Sequence, residues 1–238
     1  MLYLIGLGLN ENSISWEGLG VLGKCKRVYL EGYTVDFPYK IDELEKNFGR
    51  KLDILERKEV ESDKLVKEAK KEDIALLVYG CPLFATTHLS LLMEAKKAKV
   101  KTRVIYAASV FDAVAESGLE LYKFGKITSM PKWQGEKFRP MSFMDIVKQN
   151  ESIGAHSLIL TDIGLKLDEA ISELEASASE KNIKLDKIVV ASRLGTEENK
   201  FFYDNPKKFK TKRVSAPFCI IIPASNLHFL EKEALEKL

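Results

Sequence analysis

A chain of 238 residues, 45% hydrophobic and 30% charged, is long enough to bury one or two cores without staples and too apolar to stay disordered. Its 37 Lys and Arg against 35 Asp and Glu leave a net charge of +2, so no overall field points to nucleic acid or to an anionic membrane. The three cysteines, Cys25, Cys81 and Cys219, stand far apart and form no Cys-x-x-Cys pair, which disfavours a zinc site and a disulfide framework and fits a reducing compartment.

The opening Met1-Leu2-Tyr3-Leu4-Ile5-Gly6 has no basic n-region or small-residue cleavage site and is too short to span lipid, so a cytoplasmic chain is expected. Short runs rich in Val, Ile and Leu at 2–9, 27–31, 74–79, 103–107, 158–162, 188–192 and 219–223 read as buried strands. Helical spacing lies between them: Ile41, Leu44 and Phe48; Leu65, Val66 and Ala69 behind the candidate cap Ser62; Leu89, Leu92 and Met93; Ala170, Ile171 and Leu174. This alternation predicts α/β architecture with largely parallel pairing and helices covering the sheet faces. Residues 125–140 carry Pro131, Gly135 and Pro140 with neither period and read as a loop or irregular crossover. The pattern of the first half closes near Ala108 to Gly118, which divides the chain into α/β lobes at 1–112 and 113–238.

Three glycine motifs need separating. Gly6-Leu7-Gly8 follows a strand, but the third position of Gly-x-Gly-x-x-Gly is Glu11, so a dinucleotide fingerprint fails; a tight turn and a ligand-facing turn at the sheet edge remain, and both can hold. Gly18-Leu19-Gly20-Val21-Leu22-Gly23-Lys24-Cys25 imitates a P-loop, yet Cys25 stands where the magnesium-binding hydroxyl belongs, and the segment precedes a strand instead of following one. It reads as a helix. Gly80-Cys81-Pro82-Leu83 directly follows an apolar strand, and Thr86 or Thr87 can cap the next helix, placing glycine and helix amides at one crevice; an ordinary strand-to-helix turn is the plain alternative.

No pair among His88, His156 and His228 has metal-ligand spacing, and there is no Gly-x-Ser-x-Gly elbow, so neither a metal hydrolase nor a serine hydrolase is indicated. His88 reads as a surface or capping residue and His156 as structural; no catalytic residue is assigned. The basic run at 207–213, Lys-Lys-Phe-Lys-Thr-Lys-Arg, reads as a solvated face, with a docking patch for a ribosome-associated protein or its RNA as the functional alternative.

Leu4-Ile5-Gly6-Leu7-Gly8-Leu9-Asn10-Glu11, with Ile14-Ser15-Trp16-Glu17-Gly18-Leu19 after it, resembles the start of the tetrapyrrole-methylase superfamily and of the diphthine synthase family within it. Gly80-Cys81-Pro82-Leu83-Phe84-Ala85-Thr86-Thr87-His88 is similar to that family's Gly-Asp-Pro-x-x-Ala-Thr-Thr-His segment, and Ala108-Ser109-Val110 to its Ala/Pro-Ser-Ile turn. Stretches at 117–126, 140–146 and 154–163 extend the resemblance to about Ile163 and, more weakly, to Pro223.

The resemblance implies two α/β lobes with a cleft between them for S-adenosylmethionine, which leaves as S-adenosylhomocysteine, usually in a homodimer. It puts cofactor contacts at Leu9, Cys81, Phe84, Ser109, Val110, Thr161, Leu194 and Phe218 or Cys219. It also implies methyl transfer to the amino group of the aminocarboxypropyl-histidine of elongation factor two, with neither membrane nor direct nucleic-acid binding. The alternatives are a corrin-precursor methyltransferase and a cofactor-binding, translation-associated protein with weakened turnover. One departure stands out: Cys81 occupies the place of the family's aspartate and removes a charged acceptor. The segment after Ile163 is also shorter than the family's.

Overall fold

Strands that are apolar on both faces need cover on both sides, and β4 (Ile74–Val78), buried at all of its residues, has it. The computed structural model describes residues 1–238 and divides them into two units, Met1–Val110 and Phe111–Leu238. In the first unit the order is β1 (Leu2–Gly6), α1 (Trp16–Leu22), β2 (Arg27–Glu31), α2 (Ile41–Phe48), β3 (Asp53–Leu55), α3 (Arg57–Val60), α4 (Lys64–Ala69), β4, α5 (His88–Lys97) and β5 (Thr102–Ile105). The sheet runs β3-β2-β4-β1-β5 with every pairing parallel, Leu2 lying opposite both Ile74 and Thr102.

Period-two alternation sends Leu4, Leu76 and Val78 to one face, where Leu65 of α4 and Leu91 and Ala95 of α5 cover them. Ile5, Leu30 and Leu77 go to the other, under Val21 and Leu22 of α1 and Leu44 of α2. The P-loop look-alike is indeed helix: Ser15 caps α1 by accepting the Gly18 N–H at 3.1 Å.

The short helix α6 (Val110–Ala113) covers the change from one unit to the next. The second unit continues with β6 (Thr128–Met130), α7 (Ser142–Ser152), β7 (Ser157–Thr161), α8 (Leu167–Glu180), β8 (Ile188–Ser192), β9 (Lys200–Asp204), α9 (Pro206–Phe209), β10 (Phe218–Ile222) and α10 (Phe229–Glu236). Its core gathers Phe143, Met144 and Val147 of α7 with Ala170, Ile171 and Leu174 of α8 over Ile159, Val190 and Ile220.

Here the expectation of largely parallel pairing fails. The order is β6-β7-β10-β8-β9, and only β6 and β7 are parallel; β10 runs antiparallel to both of its neighbours, and β8 to β9. Burial on both faces erases the alternation that distinguishes the two kinds of sheet, so an apolar run does not encode its own direction. Strands β3, β6 and β9 were not expected either, and β6 lies inside the presumed loop at 125–140. In α5 the expected face is also wrong: Leu89 and Met93 are exposed, and the buried side is His88, Leu91 and Ala95. No helix is long and apolar enough to cross a membrane.

Candidate functional site

Because β4, β1 and β5 are parallel neighbours, their C-terminal ends emerge side by side and the turns that follow form one rim. Leu7 N–H donates to Val78 O at 2.9 Å, and beyond it Gly8 and Gly80 exchange hydrogen bonds, Gly80 N–H to Gly8 O at 2.9 Å and Gly8 N–H to Gly80 O at 3.3 Å. Both glycines have positive φ, +71° and +68°, which a side chain would make costly. A Cβ on Gly6 would sit 2.6 Å from Gly80 O and 2.8 Å from the Ala107 Cβ, so the three turns touch through backbone.

This rim carries five of the expected contact residues: Leu9 and Ser109 buried, Cys81, Phe84 and Val110 half-buried. Tyr79 Oη donates to Leu9 O at 3.2 Å, and Phe84 N–H to Cys81 O at 3.1 Å. The turn after Gly80 is drawn in by its own hydroxyls. Thr86 Oγ1 donates to Pro82 O at 2.9 Å, whereas Thr87 Oγ1 donates to Glu61 at 3.1 Å. Neither threonine therefore caps α5, contrary to expectation, although Thr87 occupies the cap position. His88 is not a surface residue: it is 1% exposed, with Nδ1 2.9 Å from Pro82 O and Nε2 3.5 Å from Glu31 Oε1.

In the second unit the antiparallel course of β10 puts its first residue beside the ends of β7 and β8. Thr161 Oγ1 donates to Phe218 O at 2.6 Å, and just beyond β8 Arg193 N–H donates to Pro217 O at 2.8 Å, with the buried Leu194 next in the chain. Thr161, Leu194 and Phe218 thus share a second rim. The Phe218 ring belongs to the core beneath α7 and α8, so only its main chain is left for a ligand. Cys219 lies within the sheet opposite Leu160 and Ala191; burial pushes its thiol up to about 12, which removes it as a nucleophile at neutral pH.

His156 is structural, as expected. Its Nδ1 accepts the Ala224 N–H at 2.9 Å, which makes Nε2 the donor to Glu231 Oε1 at 2.8 Å. No group of three or more His, Cys, Asp and Glu is placed to hold a metal ion. In the basic run Lys208 pairs with Asp204 at 3.1 Å, Lys210 pairs with Glu175 at 2.6 Å, and Lys212 lies 3.7 Å over the Phe202 ring. The two rims offer main-chain groups, hydroxyls and apolar side chains, an equipment for binding and alignment rather than for proton transfer. Glu31 was missed from sequence. Its only signal is an acid that directly follows the apolar Val28-Tyr29-Leu30 of β2.

A parallel sheet edged with glycine turns, followed by a mixed sheet, defines a class. The family model of tetrapyrrole (corrin/porphyrin) methylases matches residues 1–207, and the chain belongs to that family of methyltransferases. Within it the relatives are narrower. Diphthine synthase of Methanocaldococcus jannaschii is 38% identical over 100% of this chain and 98% of that protein. Diphthine methyl ester synthase of Schizosaccharomyces pombe is 33% identical over 99% and 93%. A crystal structure of diphthine synthase superimposes with a TM-score of 0.89 at 32% identity, covering 99% of this chain and 94% of that one.

Proposed function

We propose that this chain is a cytoplasmic, S-adenosylmethionine-dependent methyltransferase of diphthamide biosynthesis. It methylates the amino group of the aminocarboxypropyl-histidine of translation elongation factor two, and it works as a homodimer. The observation that carries this reading is near full-length identity to diphthine synthases, 38% with the Methanocaldococcus protein. That identity also favours it over methylation of a corrin precursor.

The rims suit the methyl donor. Glycines that admit a ligand close to the backbone, with the apolar Leu9 and Phe84, match a neutral nucleoside held mainly by main-chain groups. The proposed contacts are Leu9, Cys81, Phe84, Ser109 and Val110 from the first unit and Thr161, Leu194, Phe218 and Cys219 from the second; Phe218 offers its backbone, and Cys219 is buried within the sheet behind it. When bound, the donor supplies a methyl group on a sulfonium. The protein's part is to orient that group in line with the acceptor amine and to keep water away, which requires no acid and base pair.

Repeated methylation needs an amine that sheds a proton between turns, so the rate should rise with pH toward the amine's pKa; a flat profile from neutral to alkaline pH would count against this. The deciding experiment is intact-mass analysis of the aminocarboxypropyl-bearing factor after incubation with enzyme and S-adenosylmethionine. Methyl increments up to the trimethylammonium product support the proposal. A further, base-labile increment would indicate ester formation, binding without any increment would mark a protein that has lost turnover, and a spectral change with a corrin precursor alone would favour the rival substrate.

A further inference from the structure

We propose that His88 is a positioning residue for the cofactor turn: clamped against the buried Glu31, its ring holds the Pro82 carbonyl and thereby fixes the neighbouring Cys81 and Phe84. The inference rests on the functional reading above, and its geometry lies wholly within the first unit.

His88 and Glu31 are each 1% exposed. A carbonyl oxygen can only accept, so the His88 Nδ1 that lies 2.9 Å from Pro82 O must carry hydrogen. The other ring nitrogen, Nε2, faces Glu31 Oε1 at 3.5 Å, and neither atom has another hydrogen-bond partner. The second carboxylate oxygen is occupied by the Thr34 hydroxyl at 2.9 Å. With Nδ1 protonated, a bare Nε2 would set lone pair against lone pair in a site closed to water; a proton held by the pair turns that repulsion into an ion pair.

The surrounding charges agree. Burial alone would lower the ring's pKa, but Glu31 and the Pro82 carbonyl outweigh it and raise the value, with Glu61, the acceptor of the Thr87 hydroxyl, acting in the same direction. Beside Glu31, Tyr33 is neutral, its phenol pushed up to about 12, first by burial and then by Glu31 itself; Arg57 lies 5.2 Å from the centre of the Tyr33 ring.

The turn also needs holding. Ala85 is at φ +53°, a conformation that alanine keeps only where its surroundings demand it. Two donors converge on Pro82 O, Thr86 Oγ1 and His88 Nδ1, and they span this residue. If the ring loses its proton, either the repulsion returns or the tautomer flips toward Glu31 and releases Pro82. Cofactor affinity should therefore weaken at alkaline pH. In Glu31→Gln the amide can donate to a neutral Nε2, so the Pro82 bond survives without charge and this pH dependence disappears.

The test is calorimetry of the full chain with S-adenosylhomocysteine between about pH 7 and about pH 10. The ligand's own amine titrates equally with wild type and variant, so their difference reports the pair. Wild type should weaken about tenfold or more across the range and Glu31→Gln by less than about threefold. At neutral pH His88→Asn, whose amide nitrogen falls near the place of Nδ1, should bind within about threefold of wild type, and His88→Leu about tenfold or more weaker. Nitrogen NMR of the wild-type histidine rings, which needs no variant to fold, should show His88 doubly protonated at neutral pH. A neutral His88 ring, a His88→Leu that binds as wild type does, or a Glu31→Gln that keeps the full pH dependence would overturn the inference alone. A wild type that binds no S-adenosylhomocysteine would overturn the functional reading and this inference with it.

Discussion

Glu231 answers donors from four places: His156 Nε2 at 2.8 Å, Lys123 Nζ at 2.7 Å, His228 N–H at 2.8 Å and Glu120 N–H at 3.2 Å. Burial would raise its pKa, but these donors together hold it at about 2. That is below the ordinary glutamate value of about 4.3, so its stabilisation is complete above that pH and is lost as pH falls toward 2. Glu231→Gln should cost about 1–3 kcal/mol in urea unfolding at neutral pH, because Lys123 loses its counter-charge and the neutral His156 ring its carboxylate acceptor, and the deficit should shrink in acid. A neutral-pH loss below about 1 kcal/mol would show the network to be dispensable. At Cys81 the expectation runs the other way: Cys81→Asp restores a charged acceptor on the rim and should tighten S-adenosylmethionine binding about tenfold without changing the urea midpoint. Weaker binding would mean that the thiol has been retuned. The sequence motif made Cys81 legible, but Glu31 and Glu231 were not, since a lone acid in a strand or an amphipathic helix reads as facing water until its partners are known.

Among the elements, the rim built by β1, β4 and β5 depends on the absence of a side chain at Gly6. In Gly6→Ala the new methyl meets the Gly80 carbonyl and the Ala107 side chain, neither of which can swing aside. The substitution should cost about 1–3 kcal/mol of stability and, by spreading the turns, weaken cofactor binding more than tenfold. Unchanged affinity in a folded variant would disconnect this rim from the cofactor. The strands of the rim were readable because each is a short apolar run ending at a turn, and β2 and β8 were readable to the residue. β9 was not, since Lys-Phe-Phe-Tyr-Asp is a half-buried edge strand whose charged ends break up the apolar signal. α5 was found but turned the wrong way. Apolar residues lie on every side of it, and the partners that take His88 inward, Glu31 and Pro82, come from elsewhere in the chain.

For the whole molecule, two units with separate cores make the cysteines useful reporters. Cys25 is buried in the first unit, its thiol pushed up to about 11 chiefly by burial; Cys219 is sealed in the second; Cys81 is half-exposed. In native buffer a maleimide should modify Cys81 alone, and the other two should follow only with urea, Cys25 reporting the first unit and Cys219 the second. Rapid labelling of either buried thiol without denaturant would contradict these cores. The α/β class was open to sequence reading, whereas strand direction in the second sheet was not, because direction depends on which strands become neighbours. The mutual hydrogen bonds between Gly8 and Gly80 close a small ring from two distant parts of the chain, and a ring has a fixed number of members. Adding or deleting one residue between β1 and Gly8, or between β4 and Gly80, breaks it, so insertions in this half of the molecule have to be accommodated elsewhere.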